Sequence, residues 1–201
     1  SQGNIAQSGV PLGTGANIDN ATDILAMLLM QNGVPVTKTG GMAFAAGIGN
    51  NPEHPTLQSL RFYTDFAKPT KQAYTWNEKQ EQAIDAFARG KAVFYFGFAF
   101  DLDRIKGKAP QMNLETVSIP QLNAAAPANV ANFWMESVIK KSPDQDIAWD
   151  FVRFLTLPEN IAKYGEAAKM PTPLRSQIEK QKEDRFLGVF AESLLSAKNW
   201  Y

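Results

Sequence analysis

The sequence lacks cysteine altogether, which excludes disulfide bonds and thiolate metal sites. It has a single histidine, His54, which lies in the turn-forming segment Pro52-Glu53-His54-Pro55. We interpret His54 as a surface turn residue, because no second metal ligand or catalytic partner accompanies it. The 20 basic residues balance the 20 acidic ones, so the charge does not indicate a nucleic-acid or membrane-surface partner. The apolar runs are all much shorter than a membrane span.

Motifs of several enzyme classes are also missing. The sequence contains no G-x-S-x-G elbow, no H-E-x-x-H pair and no phosphate-binding loop. The glycine-rich turn Gly13-Thr14-Gly15 can be interpreted as a tight turn or as an anion site, but it lacks the lysine of a phosphate loop. We predict no cofactor and no bound metal. A carboxylate pair for glycoside hydrolysis has no local motif, so that class of enzyme stays open.

The sequence is rich in aromatic residues, and one stretch, Asn77 to Gln121, organises the rest of the prediction. Its alternating helix and strand patterns are typical of an α/β fold. Residues Ala92 to Phe96 are apolar at every position, which predicts a strand covered on both faces. Gly97 then allows a turn that presents Phe98 and Phe100 at the strand's carboxyl end, where ligands bind in such sheets. The predicted elements are helices over 77–88 and 100–105, strands over 91–96 and 114–119, and an aromatic elbow over 97–100.

Helix caps and apolar spacing define the remaining elements. Asp101 and Asp103 fall in the first turn of the short helix, where negative charge is favourable. An apolar stripe containing Phe151, Phe154 and Leu155 indicates a buried helix face. The other predicted elements are strands over 5–12, 42–46 and 130–138, and helices over 20–31, 56–67, 142–155, 158–168 and 176–185, with a last helix ending near 197.

Two blocks of the sequence resemble the solute-binding proteins of bacterial ABC importers, most closely the sugar-binding class that includes maltose-binding protein. The first block is AFARGKAVFYFGFAF together with the later strand that ends in SIPQ. The second block is NFWMESVIKKSPDQDIAWDFVRFLTLPENIAKYGEAAKMPTPLR. The family shares a Gly-Lys pair before a hydrophobic strand, a Gly-aromatic elbow, a strand ending in proline, and a Ser-capped helix. Together the blocks span roughly half of the chain in the family's order.

The resemblance implies a two-lobe, periplasmic-binding-protein-like fold of type II, represented by one lobe and part of the other. Residues 1–120 and 170–201 would form the second ligand-binding lobe, 121–129 a hinge or linker, and 130–168 a segment that completes the first lobe. The chain would begin inside the family's sequence, so a signal peptide or lipid anchor would lie upstream of Ser1. The incomplete first lobe would leave the apolar stripe open to association with another chain or segment.

The resemblance also implies where a ligand binds. The loop containing Thr14 and Asn17 faces the interlobe cleft in sugar-binding relatives, which makes both residues candidate ligand contacts, although the residues themselves favour a tight turn with an Asn/Asp cap. Trp76 is either a hydrophobic staple before a helix or a cleft residue. We predict that Phe98 or Phe100 lines the cleft, and that Asn132 and Trp134 share a strand face near the cleft or hinge. The alternative for both aromatic sites is ordinary core packing.

The expected function is that of the periplasmic or extracellular binding component of an ABC transporter. It would capture a small solute, most simply a carbohydrate, and deliver it to the membrane permease, without catalysis. Aromatic rings stack on the apolar faces of sugars, and the candidate contacts are aromatic and neutral. Peptides, phosphorylated polyols and polyamines are the alternative ligands. A carboxylate-dependent glycoside hydrolase and a protein-interaction module are the alternative functions.

Overall fold

A computed structural model describes residues 5–200 of the chain, and this part is rich in helix with little sheet. A short 3-10 turn lies at Leu194–Ser196. The eight helices of the described part are α1 (Ala21–Gln31), α2 (Pro55–Asp65), α3 (Ala83–Ala88), α4 (Asp101–Lys108), α5 (Gln145–Leu155), α6 (Pro158–Ala168), α7 (Arg175–Gln181) and α8 (Gly188–Ser193). Its strands, each of two residues, are β1 (Thr37–Lys38), β2 (Gly41–Met42), β3 (Asn129–Val130) and β4 (Ala197–Lys198). In residues 5–200 no helix is both long and apolar enough to cross a bilayer.

The chain forms two compact units. The first comprises the described residues up to Leu114, then Ile119–Val130, and the described residues from Ser196 onward. The second comprises Glu115–Ser118 and Ala131–Leu195. Residues 170–195 therefore pack with 131–168, whereas the sequence analysis grouped 170–201 with 1–120. The assignment of either segment to a lobe of a complete binding protein stays a prediction.

The core of the first unit forms around α1. Its apolar residues recur at helical spacing, and Ile24, Ala26, Met27 and Leu29 are buried. One side of α1 packs in a cluster that also contains Trp76, and the other packs in a second cluster. The first cluster contains Leu12, Ile18, Ile24, Tyr63, Trp76, Ala83 and Ala86, and the second contains Ala26, Leu29, Val34 and Val36.

Asn32 joins the end of α1 to the start of α2. Its side-chain amide donates to the carbonyl of Pro55 at 2.9 Å and to Ser59 Oγ at 3.3 Å. Its backbone N–H continues the α1 hydrogen-bond pattern, and Gly33, with φ of +77°, donates its N–H to the Met30 carbonyl. The predicted Asn-Gly helix stop is therefore confirmed, and the same asparagine holds two helices together.

The strands are the part of the prediction that was wrong. Instead of a buried strand over 91–96, the structure has one parallel bridge between Ser8 and Ala92. Ala92 is buried, but Val93 and Phe94 are 52% and 61% exposed. The Ser8–Gly9 segment lies beside this stretch, and its carbonyls accept the N–H groups of Val93 and Phe94. An apolar run therefore did not identify a strand covered on both faces, because no second neighbouring strand pairs with it in residues 5–200.

The four other predicted strands are absent or shortened. Residues 114–119 form no strand, and residues 5–12 contribute only the bridge at Ser8. The strand predicted over 130–138 is limited to Asn129–Val130, which pairs in parallel with Ala197–Lys198. Near 42–46, only Gly41–Met42 is extended, as half of a hairpin with Thr37–Lys38.

The helix predicted over 77–88 begins later, at Ala83. The reason is a long-range contact with Asn17. In a continuous helix the carbonyls of Asn77 and Gln80 would accept backbone N–H groups four residues on. Here the side-chain amide of Asn17 donates to both carbonyls at 3.0 Å, and the Ala83 N–H donates to the Asn17 carbonyl at 2.9 Å. The tertiary contact therefore replaces a turn of helix.

Few helix residues of the second unit are buried. Thr172 is buried and donates to Gln177 Oε1, and Ile178 and Ala191 supply apolar contacts. By contrast, no residue of α5 is buried. Its predicted apolar stripe is exposed, with Phe151 at 59%, Phe154 at 55% and Leu155 at 36%. The stripe is therefore not buried within the described residues, and its association with another chain or segment stays a prediction.

His54 lies at the N-cap of α2, a more specific role than the surface turn that was predicted. Its Nδ1 accepts the Thr56 N–H at 3.2 Å, and Pro55 follows at the first helical position. We expect His54→Ala to lower the free energy of unfolding by about 1 kcal/mol, because one helix donor loses its acceptor. His54→Asn retains a capping acceptor and should be close to the parent in urea denaturation. Equal stability of the alanine variant would contradict the capping role.

Candidate functional site

The aromatic elbow at residues 97–100 is the best-formed surface feature of the first unit. The rings of Phe98 and Phe100 stack with centroids 5.6 Å apart and an interplanar angle of 20°. Ala99, between them, is buried, whereas Phe100 remains 48% exposed. The elbow therefore packs through Ala99 and leaves Phe100 exposed, so full burial of both rings, which would exclude a stacking role, is not found. That Phe98 or Phe100 lines the interlobe cleft stays a prediction.

Gly97 is required at the start of the elbow because its neighbours leave no room for a side chain. A Cβ atom at this position would lie 2.6 Å from the Tyr95 ring and 3.0 Å from Asp101 Oδ2. Such separations are below ordinary contact distances, so any larger residue would displace the Tyr95 ring or the carboxylate. The sequence analysis identified Gly97 as a turn residue, and the structure adds this close packing.

The carboxylate of Asp101 lies directly behind the elbow. Asp101 is 1% exposed, and its Oδ2 accepts the backbone N–H of Phe98 at 3.1 Å. The same oxygen accepts from Asn20 Nδ2 at 3.2 Å and from the Tyr95 hydroxyl at 3.4 Å. Its Oδ1 accepts from Arg104 at 2.6 Å. Asp101 is thus a buried carboxylate with partners on three separate segments of the chain.

Arg104 extends this network toward the loop before α1. One of its guanidinium nitrogens pairs with Asp101, and another lies 3.2 Å from Asp19 Oδ1. Desolvation acts to lower the pKa of Arg104, but its hydrogen bonds and attraction to Asp19 and Asp101 outweigh that effect and raise it. The pKa of Tyr95 is raised, first by burial and then by the negative charge of Asp101. Tyr95 therefore stays protonated and can donate to the carboxylate.

Thr14, Asn17 and Trp76 come together in the structure, but as an internal hydrogen-bonded cluster. Asn17 Oδ1 accepts from Thr14 Oγ1 at 2.5 Å and from Trp76 Nε1 at 3.1 Å. Thr14 is 7% exposed, Asn17 5% and Trp76 1%. Because the Asn17 amide also donates to two backbone carbonyls, all its hydrogen-bonding groups are engaged. Direct contact of these three residues with a ligand stays a prediction that requires the cluster to open.

Tyr63 and Gly13 lie next to this cluster. The Tyr63 hydroxyl donates to the Thr14 carbonyl at 2.7 Å. Burial raises the pKa of Tyr63 to about 12, an effect partly offset by a backbone hydrogen bond at Gly13. Gly13 has φ of +99°, and its backbone packs against Ala67 and the Tyr63 carbonyl. The glycine-rich turn predicted from the sequence is thus a close-packed structural turn.

The remaining predicted contacts, Asn132 and Trp134, belong to the second unit. Both are exposed, and Trp134 reaches 95%. Phe133 and Met135 are also exposed, at 54% and 78%, so the predicted alternation between two strand faces is wrong. Core packing, the alternative for Trp134, is excluded within this unit. A ligand contact of Asn132 or Trp134 stays a prediction.

An apolar groove of about 220 Å³ also lies in the second unit, between the 136–142 segment and α5. Phe151, Val152 and Leu155 form one wall, and Val138 and Ile139 form the other. The lining also includes the polar residues Glu136, Ser137 and Ser142. In residues 5–200, no cluster of three or more His, Asp or Glu side chains is placed to hold a metal ion.

Asp101, Asn20 and Arg104 are the residues of this site that sequence reasoning missed. Asp101 was attributed to the helix dipole because it lies in the first turn of α4. Its burial depends on Asn20, which is 81 residues away in sequence, so local patterns gave no signal of it. An aspartate directly after an aromatic elbow is the one hint that the sequence contained.

Comparison with known proteins gave one match. A family model described as bacterial extracellular solute-binding protein matches residues 6–184, which is most of the chain. No curated protein and no solved structure matches the chain significantly.

Proposed function

Because the chain belongs to the bacterial extracellular solute-binding proteins, we propose that it captures a carbohydrate and presents it to an ABC permease. Family membership supports the coarser parts of this statement directly. The protein has a solute-binding role for an ABC transporter, with a small-molecule ligand and a permease partner, in the periplasm or outside the cell. The family also implies a periplasmic-binding-protein-like fold, and assignment to type II is part of the proposal.

The observation that carries the carbohydrate proposal is the stacked pair of Phe98, which is partly buried, and Phe100, which is exposed. Two parallel rings 5.6 Å apart offer an apolar surface of the kind on which pyranose faces stack. Nearby, Arg104 and Asp19 are partly exposed and supply a hydrogen-bond donor and acceptors suited to hydroxyl groups. Asp19 and Asp101 share the Arg104 cation, so these three side chains carry one net negative charge, which disfavours a phosphorylated polyol.

Replacing Phe100 by alanine tests this proposal. With maltose and maltotriose as probes, we expect the parent protein to show a rise in melting temperature and Phe100→Ala to bind about tenfold more weakly. The matched control is Phe62→Ala, because Phe62 is also half exposed, at 55%, and also pairs with a neighbouring ring, that of Phe66. Unchanged affinity in Phe100→Ala, alongside sugar binding by the parent, would remove the stacking role. Absence of binding to either sugar would favour the other ligand classes.

Trp134 is proposed as a second aromatic contact. Since its side chain is 95% exposed, Trp134→Phe should change the free energy of unfolding by less than about 0.5 kcal/mol. A contact with sugar would then appear as weaker affinity at constant stability. Trp149→Phe, at a second exposed tryptophan of the same unit, is the control. Equal affinities of the two variants and the parent would leave Trp134 without a binding role.

The glycoside hydrolase alternative receives no support from the family, whose members are typically non-enzymatic. The same protein samples can be incubated with maltotriose and the products measured. Binding without release of glucose is the expected result. Release of glucose at a rate that depends on the protein concentration would contradict the proposal.

A further inference from the structure

We propose that Asp101 is the positioning residue of the aromatic elbow, and that Arg104 and Asn20 link its carboxylate to the start of α1. The consequence for ligand affinity rests on the proposed function of the Phe98–Phe100 pair. The consequence for elbow geometry is independent of any ligand. Both parts follow from the contacts of one buried side chain.

The first step concerns the backbone of the elbow. Asp101 and Phe98 are joined twice, because the Phe98 N–H donates to Asp101 Oδ2 and the Asp101 N–H donates to the Phe98 carbonyl at 3.0 Å. Hydrogen bonds to a charged acceptor are stronger than neutral ones, and this acceptor is 1% exposed, so water competes with it poorly. The orientation of the Phe98 peptide therefore depends on the carboxylate.

The second step distinguishes positioning from ordinary helix capping. Asp103 also lies in the first turn of α4, where its negative charge favours the helix dipole, but it is exposed, whereas Asp101 is buried. Asp101 instead accepts from Asn20, at the beginning of α1, and from Tyr95, on the chain before the elbow. One carboxylate thus fixes the elbow relative to two other segments of the first unit.

The third step concerns the cost of burying this charge. An unpaired buried carboxylate would be strongly destabilising, and Arg104 compensates it at 2.6 Å. The Arg104 guanidinium also reaches Asp19, so the loop before α1 and the elbow share a single cation. The Arg104 side chain is 45% exposed and that of Asp101 only 2%, so the network extends from the buried carboxylate to the surface through the cation.

The test begins with Asp101→Asn, which has the same shape but no charge. The replaced oxygen becomes an NH₂ group and cannot accept, so either the Phe98 N–H or Arg104 loses its acceptor. We expect amide hydrogen exchange at Phe98 to become at least about tenfold faster relative to α2 amides. Asp103→Asn removes the same charge from the same helical turn and should leave this exchange unchanged. Asp101→Ala removes both oxygens, and unchanged Phe98 exchange in folded Asp101→Ala would overturn the proposal.

If Asp101→Asn fails to fold, Arg104→Gln provides the same measurement, because its side chain lies partly at the surface. Loss of the cation should speed exchange at Phe98, and Arg104→Lys should restore part of the protection. Unchanged exchange in Arg104→Gln would then overturn the linkage.

Affinity for maltotriose separates this inference from the proposed function. If Phe100→Ala and the Asp101 variant both bind more weakly, both proposals are supported. Weak binding by Phe100→Ala alone would overturn the positioning role in binding. Faster Phe98 exchange with no sugar binding in any variant, the parent included, would overturn the carbohydrate proposal and leave the role of Asp101 in the elbow intact.

Discussion

Gly13→Ala should destabilise the protein by about 3 kcal/mol or more, because two costs add at this position. The backbone φ of +99° disfavours any residue with a Cβ atom. The added Cβ would also lie 2.6 Å from the backbone nitrogen of Ala67 and 2.8 Å from its Cβ atom. Neither contact is to the end of a flexible side chain, so the turn or the end of α2 must move. Urea denaturation monitored by tryptophan fluorescence measures the loss.

Two other glycines separate these costs. Gly90 has φ of +73° and no atom within 4 Å of the position that a Cβ would occupy. Gly90→Ala should therefore be destabilised only by the unfavourable backbone conformation, by about 1 kcal/mol. Gly15 has neither an unfavourable φ nor a close neighbour, and Gly15→Ala should be neutral or slightly stabilising. Equal losses at Gly13 and Gly90 would show that the contact with Ala67 costs nothing.

Asn17→Ala should be the most damaging polar substitution in the first unit, with an expected loss of about 3 kcal/mol or more. The change leaves the N–H of Trp76 and the hydroxyl of Thr14 without their acceptor, and both groups are buried. It also removes the donors that hold the carbonyls of Asn77 and Gln80. Thermal unfolding should show a lower midpoint.

The control for Asn17 is Asn123→Ala. Asn123 is exposed, and its Oδ1 accepts a single backbone N–H, that of Ala125 at 2.9 Å. Asn123→Ala should lower the free energy of unfolding by less than about 1 kcal/mol, because water can replace the contact. The double variant Asn17→Ala/Trp76→Phe should lose less stability than the sum of the two single variants, because the buried indole N–H is removed together with its acceptor. Additive losses would contradict a direct Asn17–Trp76 interaction.

Helices of this protein were predictable from sequence to the extent that their ends carry local signals. Pro158 predicted the first residue of α6, and Asn32-Gly33 predicted the end of α1. The helix expected from Asn77 failed because its carbonyls bond to Asn17, 60 residues away. The strand expected at 91–96 failed for a similar reason, since strand formation needs neighbours that no local pattern reports.

The candidate site was also predictable only in part. The elbow was predictable, because Gly97 and the two phenylalanines that follow it form a contiguous pattern. The carboxylate behind the elbow was not, because burial of Asp101 depends on Asn20 and Tyr95, and charged residues are rarely buried. Thr14, Asn17 and Trp76 were named separately as candidate ligand contacts, and only the folded structure reveals that they bond to one another.

The contact that joins α1 to α2 has a consequence for the chemical ageing of the protein. Asn-Gly sequences are prone to deamidation, a reaction in which the glycine nitrogen attacks the asparagine side chain. Here that nitrogen donates to the Met30 carbonyl, and the Asn32 amide is held by Pro55 and Ser59. Deamidation therefore requires this contact to open first. The mass increase at Asn32 during storage would accordingly report how often the two helices separate.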